Sequence, residues 1–304
     1  MDAELRKALG AVARDRTSGA AELALRAVTA LRSWLSRNRQ PSSAELLEVA
    51  RALLHVQPSL APLLRLGNEA ALAADDAHPG RAAAARIRAF HNTLKRGAKR
   101  IASAFAERLR REDQAVVLTY SYSSTVACAL IRARRSIHRV FCSEGRPGGE
   151  GFRMAERLAA GGLKVIFTTE SGLFSQLRPH QWIVLGADAV LHGWVANKVG
   201  TKALVRLALH TTGCTVVFLA DTTKFLPERP DAGVRWERTF GREQELWPRA
   251  PRNVDVYNLY FELTPMWNHS RVRFVSEKGW WTPRQVRREL GRIVISPRLG
   301  TLLD

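Results

Sequence analysis

Residues 115–124 read Ala115-Val116-Val117-Leu118-Thr119-Tyr120-Ser121-Tyr122-Ser123-Ser124, and this stretch decides the fold. A short apolar, β-branched run ends in a block of hydroxyl residues, and a run of helical composition follows. The same order recurs downstream. Apolar runs at Ala115–Tyr120, Ile137–Cys142, Lys164–Thr169, Trp182–Leu185 and Thr215–Ala220 alternate with helical pieces at 124–135, 150–161, 172–178 and 198–212. A sixth strand is expected at Val256–Leu263. Strands that are apolar throughout and separated by helices belong to a parallel sheet covered on both faces. The pattern predicts an α/β chain with a Rossmann-like parallel-sheet domain. No Gly-x-Gly-x-x-Gly follows the first strand, so no dinucleotide and no other cofactor is expected.

Upstream of this region, residues 1 to about 110 read as helical, with Ala, Leu and Arg dominant and β-branched residues sparse. Leu23, Ala27, Ala30, Leu31 and Trp34 recur at helical spacing after an entry signal at Thr17-Ser18-Gly19. Ser42 or Ser43 is placed to cap a second helix, and Gln57-Pro58-Ser59 begins a third. A loop spans Asp75–Gly80, and Arg81 to Arg111 reads as one long amphipathic helix with a basic, solvated face. Composition changes near Arg111–Asp113, which divides a helical N-terminal domain at 1–111 from a Rossmann-like ligand-binding domain at 112–304.

A chain of 304 residues, 46% hydrophobic, can bury a core without metal or disulfide staples. Cys128, Cys142 and Cys214 show no metal-like spacing, so no metal is expected and the thiols read as free in a reducing compartment. No apolar run nears the ~20 residues that span a bilayer, and the N-terminus lacks a secretory apolar core. A cytoplasmic protein with no membrane partner is expected. The formal net charge of +19 points towards nucleic acid. Nearly all of that charge is Arg spread along the whole chain, so charge alone does not favour a nucleic-acid partner.

In an open parallel sheet, ligands bind beyond the carboxyl ends of the strands. Here those ends carry Ser121 to Ser124, Ser143-Glu144-Gly145-Arg146-Pro147, Gly186-Ala187-Asp188 and Asp221-Thr222-Thr223-Lys224. A helix is expected to start near Asn197-Lys198-Val199-Gly200-Thr201. Helix capping accounts for the Ser and Thr residues. It does not account for Arg146, Asp188, Asn197 and Lys198 together, which point to an anionic-ligand pocket. Asp188 also has a structural alternative, capping the turn after strand four.

Five segments resemble the family containing the α, β and δ regulatory subunits of eukaryotic initiation factor 2B. Ribose-1,5-bisphosphate isomerase and methylthioribose-1-phosphate isomerase belong to the same family. The segments are Leu118 to Ser123, Ser143 to Pro147, Gly186-Ala187-Asp188-Ala189-Val190, Asn197 to Thr201 and Thr223-Lys224-Phe225. Thr17 to Leu23 and Pro58 to Pro62 resemble it more weakly. The resemblance implies a helical domain followed by a sugar-phosphate isomerase/CoA-transferase-like sheet domain, assembled as dimers or higher homo-oligomers. It further implies that active isomerases carry a cysteine just after strand one and an aspartate in Gly-Ala-Asp as an acid–base pair. Asp188 matches the aspartate, whereas Ser121 stands where the cysteine belongs. A thiol of pKa about 8.5 exchanges protons at neutral pH; an ordinary hydroxyl does not.

Ser18 and Gln57 stand where the isomerases carry arginines, while Arg146, Asn197 and Lys198 remain to hold one anion. The regulatory subunits also lack the cysteine, and Tyr120-Ser121-Tyr122-Ser123 is closer to them. Their ending resembles Asn258–Pro265 with Trp281-Thr282-Pro283, where a Thr-Pro pair caps the last helix.

The expectation is therefore a regulatory-subunit-like protein that binds a phosphorylated sugar or nucleotide without robust catalysis, with a translation factor as a partner. Glu144, Arg146, Gly186, Asn197, Lys198 and Lys224 are the expected ligand residues. The alternative is an aldose–ketose phosphate isomerase, an intramolecular oxidoreductase, using Asp188 with Ser121 or a water in place of the thiol. A third reading, RNA or ribosome association, rests on charge. Trp236, Trp247, Trp267, Trp280 and Trp281 among arginines read either as base-stacking residues or as core and interface.

Overall fold

Five helices form first in chain order, and their ends follow elementary capping rules. The computed structural model describes residues 1–15, 19–211, 213–227, 240–266 and 268–303. Thr17, Ser18, Trp236 and Trp267 lie outside the described residues. Helices α1 (Ala3–Arg14), α2 (Ala20–Arg37), α3 (Ser43–Val56) and α4 (Ala61–Ala74) precede the long α5 (Pro79–Leu109). Ser42 closes a reciprocal capping box with Glu45 at the start of α3. Pro79 opens α5, where its missing N–H costs nothing. Leu9, Leu31, Trp34, Leu53 and Leu64 fill one core between these helices.

Helix α5 belongs to two cores at once. Ala83, Ile87 and Phe90 join the helical core, whereas Ile101, Ala102, Phe105 and Leu109 pack beneath the sheet. The Phe105 ring stacks on Trp280 at 6.2 Å and meets Trp182 edge-on at 6.3 Å. Trp280 Nε1 also donates to the Ala104 carbonyl at 3.1 Å.

The strands are β1 (Ala115–Thr119), β2 (Ile137–Ser143), β3 (Val165–Thr168), β4 (Trp182–Leu185), β5 (Ala189–Val190), β6 (Trp194–Lys198), β7 (Thr215–Leu219), β8 (Phe261–Pro265), β9 (Val272–Ser276) and β10 (Gly279–Trp281). Between and after them run α6 (Ser124–Arg132), α7 (Glu150–Ala160), α8 (Glu170–Ser175), α9 (Thr201–His210), α10 (Glu243–Leu246), α11 (Pro283–Leu290) and α12 (Leu299–Leu303). The main sheet has the order β10-β9-β7-β4-β1-β2-β3, parallel throughout except for β10. Successive residues feed opposite cores: Val117, Val184 and Val217 face α5 and α6, while Leu118, Ile183 and Val216 join the core of α9 and α11. That arrangement is the doubly covered parallel sheet expected from the apolar runs.

The sixth strand departs from expectation. It runs Phe261–Pro265 and joins an antiparallel β5-β6-β8 sheet, while β9 takes the parallel place beside β7. Its residues are mostly half-buried, unlike those of a central parallel strand. The helix expected from residue 198 begins at Thr201, because Asn197 and Lys198 extend β6 opposite Glu262 and Phe261. Thr282-Pro283 does open a capped helix, but α12 follows it and packs Leu299 and Leu302 into the helical core. Trp280 and Trp281 are half-buried ring contacts, whereas Trp247 is exposed. Among the described residues no helix is long and apolar enough to cross a membrane.

Because Phe105 ties α5 to the sheet, Phe105→Ala is expected to cost about 3–5 kcal/mol. Chemical denaturation with helix and tryptophan signals would measure it; a loss below about 1 kcal/mol would contradict this placement.

Candidate functional site

Strand β1 runs into Tyr120-Ser121, and Ser121 has φ of +64°, a left-handed conformation uncommon for a residue with a side chain. The kink directs the Ser121 hydroxyl to donate to Glu150 Oε1 at 3.0 Å. Glu150 is the first residue of α7. The same Oε1 lies 2.9 Å from Lys198 Nζ at the end of β6. Lys198 is 2% exposed, and its ammonium stands 4.4 Å from the centre of the Tyr260 ring. Nζ has no acceptor in hydrogen-bonding geometry, so its contact with Glu150 is purely one of charge. A buried ammonium held this way is poorly satisfied.

Asp188 enters from the other side, after Gly186-Ala187. A Cβ at Gly186 would come within 2.9 Å of Ser123, the N-cap of α6, so the close approach requires glycine. The backbone N–H of Asp188 donates to Ala196 at 2.8 Å. Its carboxyl group takes no hydrogen bond among the described residues, so it does not cap the turn. Burial pushes this carboxyl above the usual range, and the charge of Glu150 adds to the rise; Lys224 and Lys198 pull the other way. Lys224 itself is buried and donates to the Ala187 carbonyl at 2.5 Å.

The remaining expected residues divide between floor and rim. Asn197 Nδ2 donates to Thr201 Oγ1 at 3.0 Å, and that hydroxyl donates to the Lys198 carbonyl at 2.6 Å. Asn197 therefore holds the β6–α9 turn. Arg146 is on the rim with its side chain 58% exposed, where Nε donates to Glu144 at 3.2 Å. The amides of Gly145 and Arg146 donate to Glu170 at 2.8 and 3.0 Å. At the start of α9, Glu262 accepts from the amides of Gly200 and Lys202 at 2.8 and 2.7 Å. Gly200 has φ of +100°, and a Cβ there would press to 2.7 Å of the Tyr120 hydroxyl, which donates to the Val199 carbonyl at 2.6 Å. Two seats suited to an anion thus already hold the chain's own carboxylates.

The structure brings Ser121, Asp188, Lys198, Lys224 and Gly186 together. It adds Glu150, Tyr260 and Glu262, which sequence reasoning missed. Glu150 follows a Gly-Gly pair and reads as an ordinary first-turn acid, and Tyr260 and Glu262 gain meaning only from the pairing of β8 with β6. No thiol joins them: Cys142 is buried within β2, where burial pushes its thiol up to about 12, and Cys128 lies on α6.

Residues 16–283 match the sequence profile of the Initiation factor 2 subunit family. A methylthioribose-1-phosphate isomerase of Trichoplax adhaerens is 31% identical over 218 residues, 65% of this chain, and the chain spans only 60% of that relative's length. A Pyrococcus horikoshii protein whose name likens it to translation initiation factor eIF-2B subunit 2 is 29% identical over 294 residues, 94% of each chain. The crystal structure of a translation initiation factor eIF-2B from Pyrococcus horikoshii superposes with a TM-score of 0.74 at 23% identity, covering 94% of this chain and all of the other. That likeness bears out the α/β fold with its helical N-terminal part.

The raised carboxyl of Asp188 has a consequence for stability. Its charged form opposes folding, so its contribution is most favourable below the ordinary carboxylate pKa and is lost as pH rises through the higher folded-state value. Asp188→Asn is therefore expected to raise Tm by about 2–4 °C at pH 8 and to change it little near pH 3.5. Thermal melts at the two pH values check this, and an equal shift at both would count against the buried carboxyl.

Proposed function

The chain belongs to the Initiation factor 2 subunit family, and from that premise we propose that it is a regulatory-subunit-type binding protein. Its strand ends take a small phosphorylated ligand, a sugar phosphate or nucleotide, and do not turn it over. The observation that carries this reading is the Lys198 ammonium, buried yet without a hydrogen-bond acceptor. A phosphate oxygen at this point satisfies it, with Lys224 nearby and Arg146 on the rim to close over the ligand. Aldose–ketose interconversion needs a proton carried between two adjacent carbons by a matched acid and base. Asp188 supplies one such group, but the Ser121 hydroxyl is engaged with Glu150 and is too weak an acid to serve as the other.

The division at residues 1–111 and 112–304 and a cytoplasmic setting belong to the same proposal. Self-assembly or docking on a translation factor does too, and is supported by exposed apolar side chains such as Phe152, Phe240, Leu246 and Tyr257. One observation favours the isomerase as the second reading: the desolvated Asp188 carboxyl beside two lysines, an environment that suits a general acid–base group.

Thermal-shift measurements with ribose 5-phosphate and AMP test the ligand. At a concentration near 100 times Kd, binding adds about 2.7 kcal/mol and raises Tm by about 5–10 °C. No shift with any sugar phosphate or nucleoside monophosphate would refute ligand binding. Assays for ketose formation from aldose phosphates should find the parent inactive. Turnover by the parent that Asp188→Ala abolishes would establish the isomerase reading instead.

A further inference from the structure

The fold gathers cations that lie far apart in the sequence. A groove of about 680 Å³ runs between the second half of α5, the end of α6, the turn at 134–136 and α7. Lys99, Arg110, Arg132, Arg134, Arg135 and Arg157 line it, and Glu107 is the one acidic side chain among the described lining residues. None of these six cations forms an ion pair with a described carboxylate. Arg157 donates to the Tyr122 hydroxyl at 2.6 Å and Arg134 to the Ile131 carbonyl at 3.3 Å. Helix dipoles account for Arg110, Arg132 and Arg157, each at the end of a helix. They do not account for Lys99 in mid-helix or for Arg134 and Arg135 beyond α6.

The cationic face extends past the groove. Lys95 and Arg96 precede Lys99 by four and three residues and share its face of α5, and exposed Arg88 continues it. From Arg88 to Arg110 the ridge covers about 33 Å at 1.5 Å per residue. His91, within this stretch, is held below its usual range first by burial and then by the charges of Arg32 and Lys95.

We propose that this groove and ridge form a track for single-stranded RNA, bound through its phosphate backbone. The ridge is longer than any single nucleotide, so it fits a linear polyanion rather than a small phosphate. Guanidinium groups fit phosphate oxygens in pairs, and five of the six groove cations are arginines. Phosphates stand along the backbone itself, whereas an acidic peptide must order a flexible side chain for each charge it presents. Ile131, half-buried in the groove wall, offers an apolar surface to ribose and base. Tyr122 is already covered by Arg153 at 4.3 Å, so the track lacks a free ring for stacking and should show little base preference. The groove shares no residue with the strand-end site.

Fluorescence anisotropy of the full chain with a labelled oligouridylate of about 20 nucleotides, over a series of KCl concentrations, tests the proposal. Six phosphate contacts predict a slope of about −4 in log K against log salt. Arg132→Glu with Arg135→Glu should weaken binding at least about tenfold and bring the slope to about −3. Arg284→Glu with Arg288→Glu, exposed on α11 and equal in charge change, should weaken it less than about threefold. If the groove double variant fails to fold, Lys99→Glu on the α5 surface gives the same direction. No binding by the parent at low salt would overturn the proposal. So would equal losses in the two double variants, or displacement of RNA by polyglutamate at equal charge concentration.

Discussion

A parallel sheet must be covered on both faces, and this constraint arranges the rest of the molecule. Val117 and Leu118, adjacent in β1, feed different cores, so helices are required above and below. With both faces covered, the strand ends are where the sheet opens to a ligand. Helix α5 meets the same demand by lending its second half to one face, which fixes the helical N-terminal part against the sheet through Phe105, Trp182 and Trp280. The chain's end then returns to the helices, where Asn68 donates to the Val294 carbonyl at 2.9 Å and accepts from the Ser296 amide at 2.9 Å.

The strand ends are an electrostatically crowded place. Glu144, Glu150, Glu170, Glu262 and Asp188 approach Lys198, Lys224 and Arg146. Three of the carboxylates are committed: Glu170 and Glu262 to backbone amides and Glu144 to Arg146. Glu150 and Asp188 are not equally settled. Glu150 takes the charge of Lys198 without a proper hydrogen bond, and Asp188 is desolvated without a donor. Groups left in this state stabilise a fold little, and they are the ones a ligand can recruit. The left-handed backbone at Ser121 marks the same spot.

Much of this was legible in the sequence, for physical reasons. Parallel strands covered on both faces are largely apolar, so five of them were visible as runs, and Trp182–Leu185 matched at both ends. The sheet rule then directed attention to Ser121, Asp188 and Lys198. What stayed hidden depends on pairing at long range. The β5-β6-β8 sheet is built from a two-residue strand and two five-residue strands with no strong periodicity, so Tyr260 and Glu262 gave no signal. Glu150 was hidden differently, because its role arises from the β2–α7 loop, which brings the first residue of α7 to Ser121 beyond the end of β1. Charge misled in the opposite sense: arginines spread along the chain read as diffuse until α5, α6 and α7 brought six cations to one groove.

In the proposed function Lys198 is the anion anchor of the strand-end site, and Glu150 occupies it in the ligand's absence. Isothermal titration calorimetry of ribose 5-phosphate against the parent and Glu150→Gln tests this most directly. Removing the competing carboxylate should tighten phosphate binding by about tenfold, the equivalent of roughly 1.4 kcal/mol. Unchanged or weaker binding by Glu150→Gln would show that Glu150 does not compete with the ligand for Lys198.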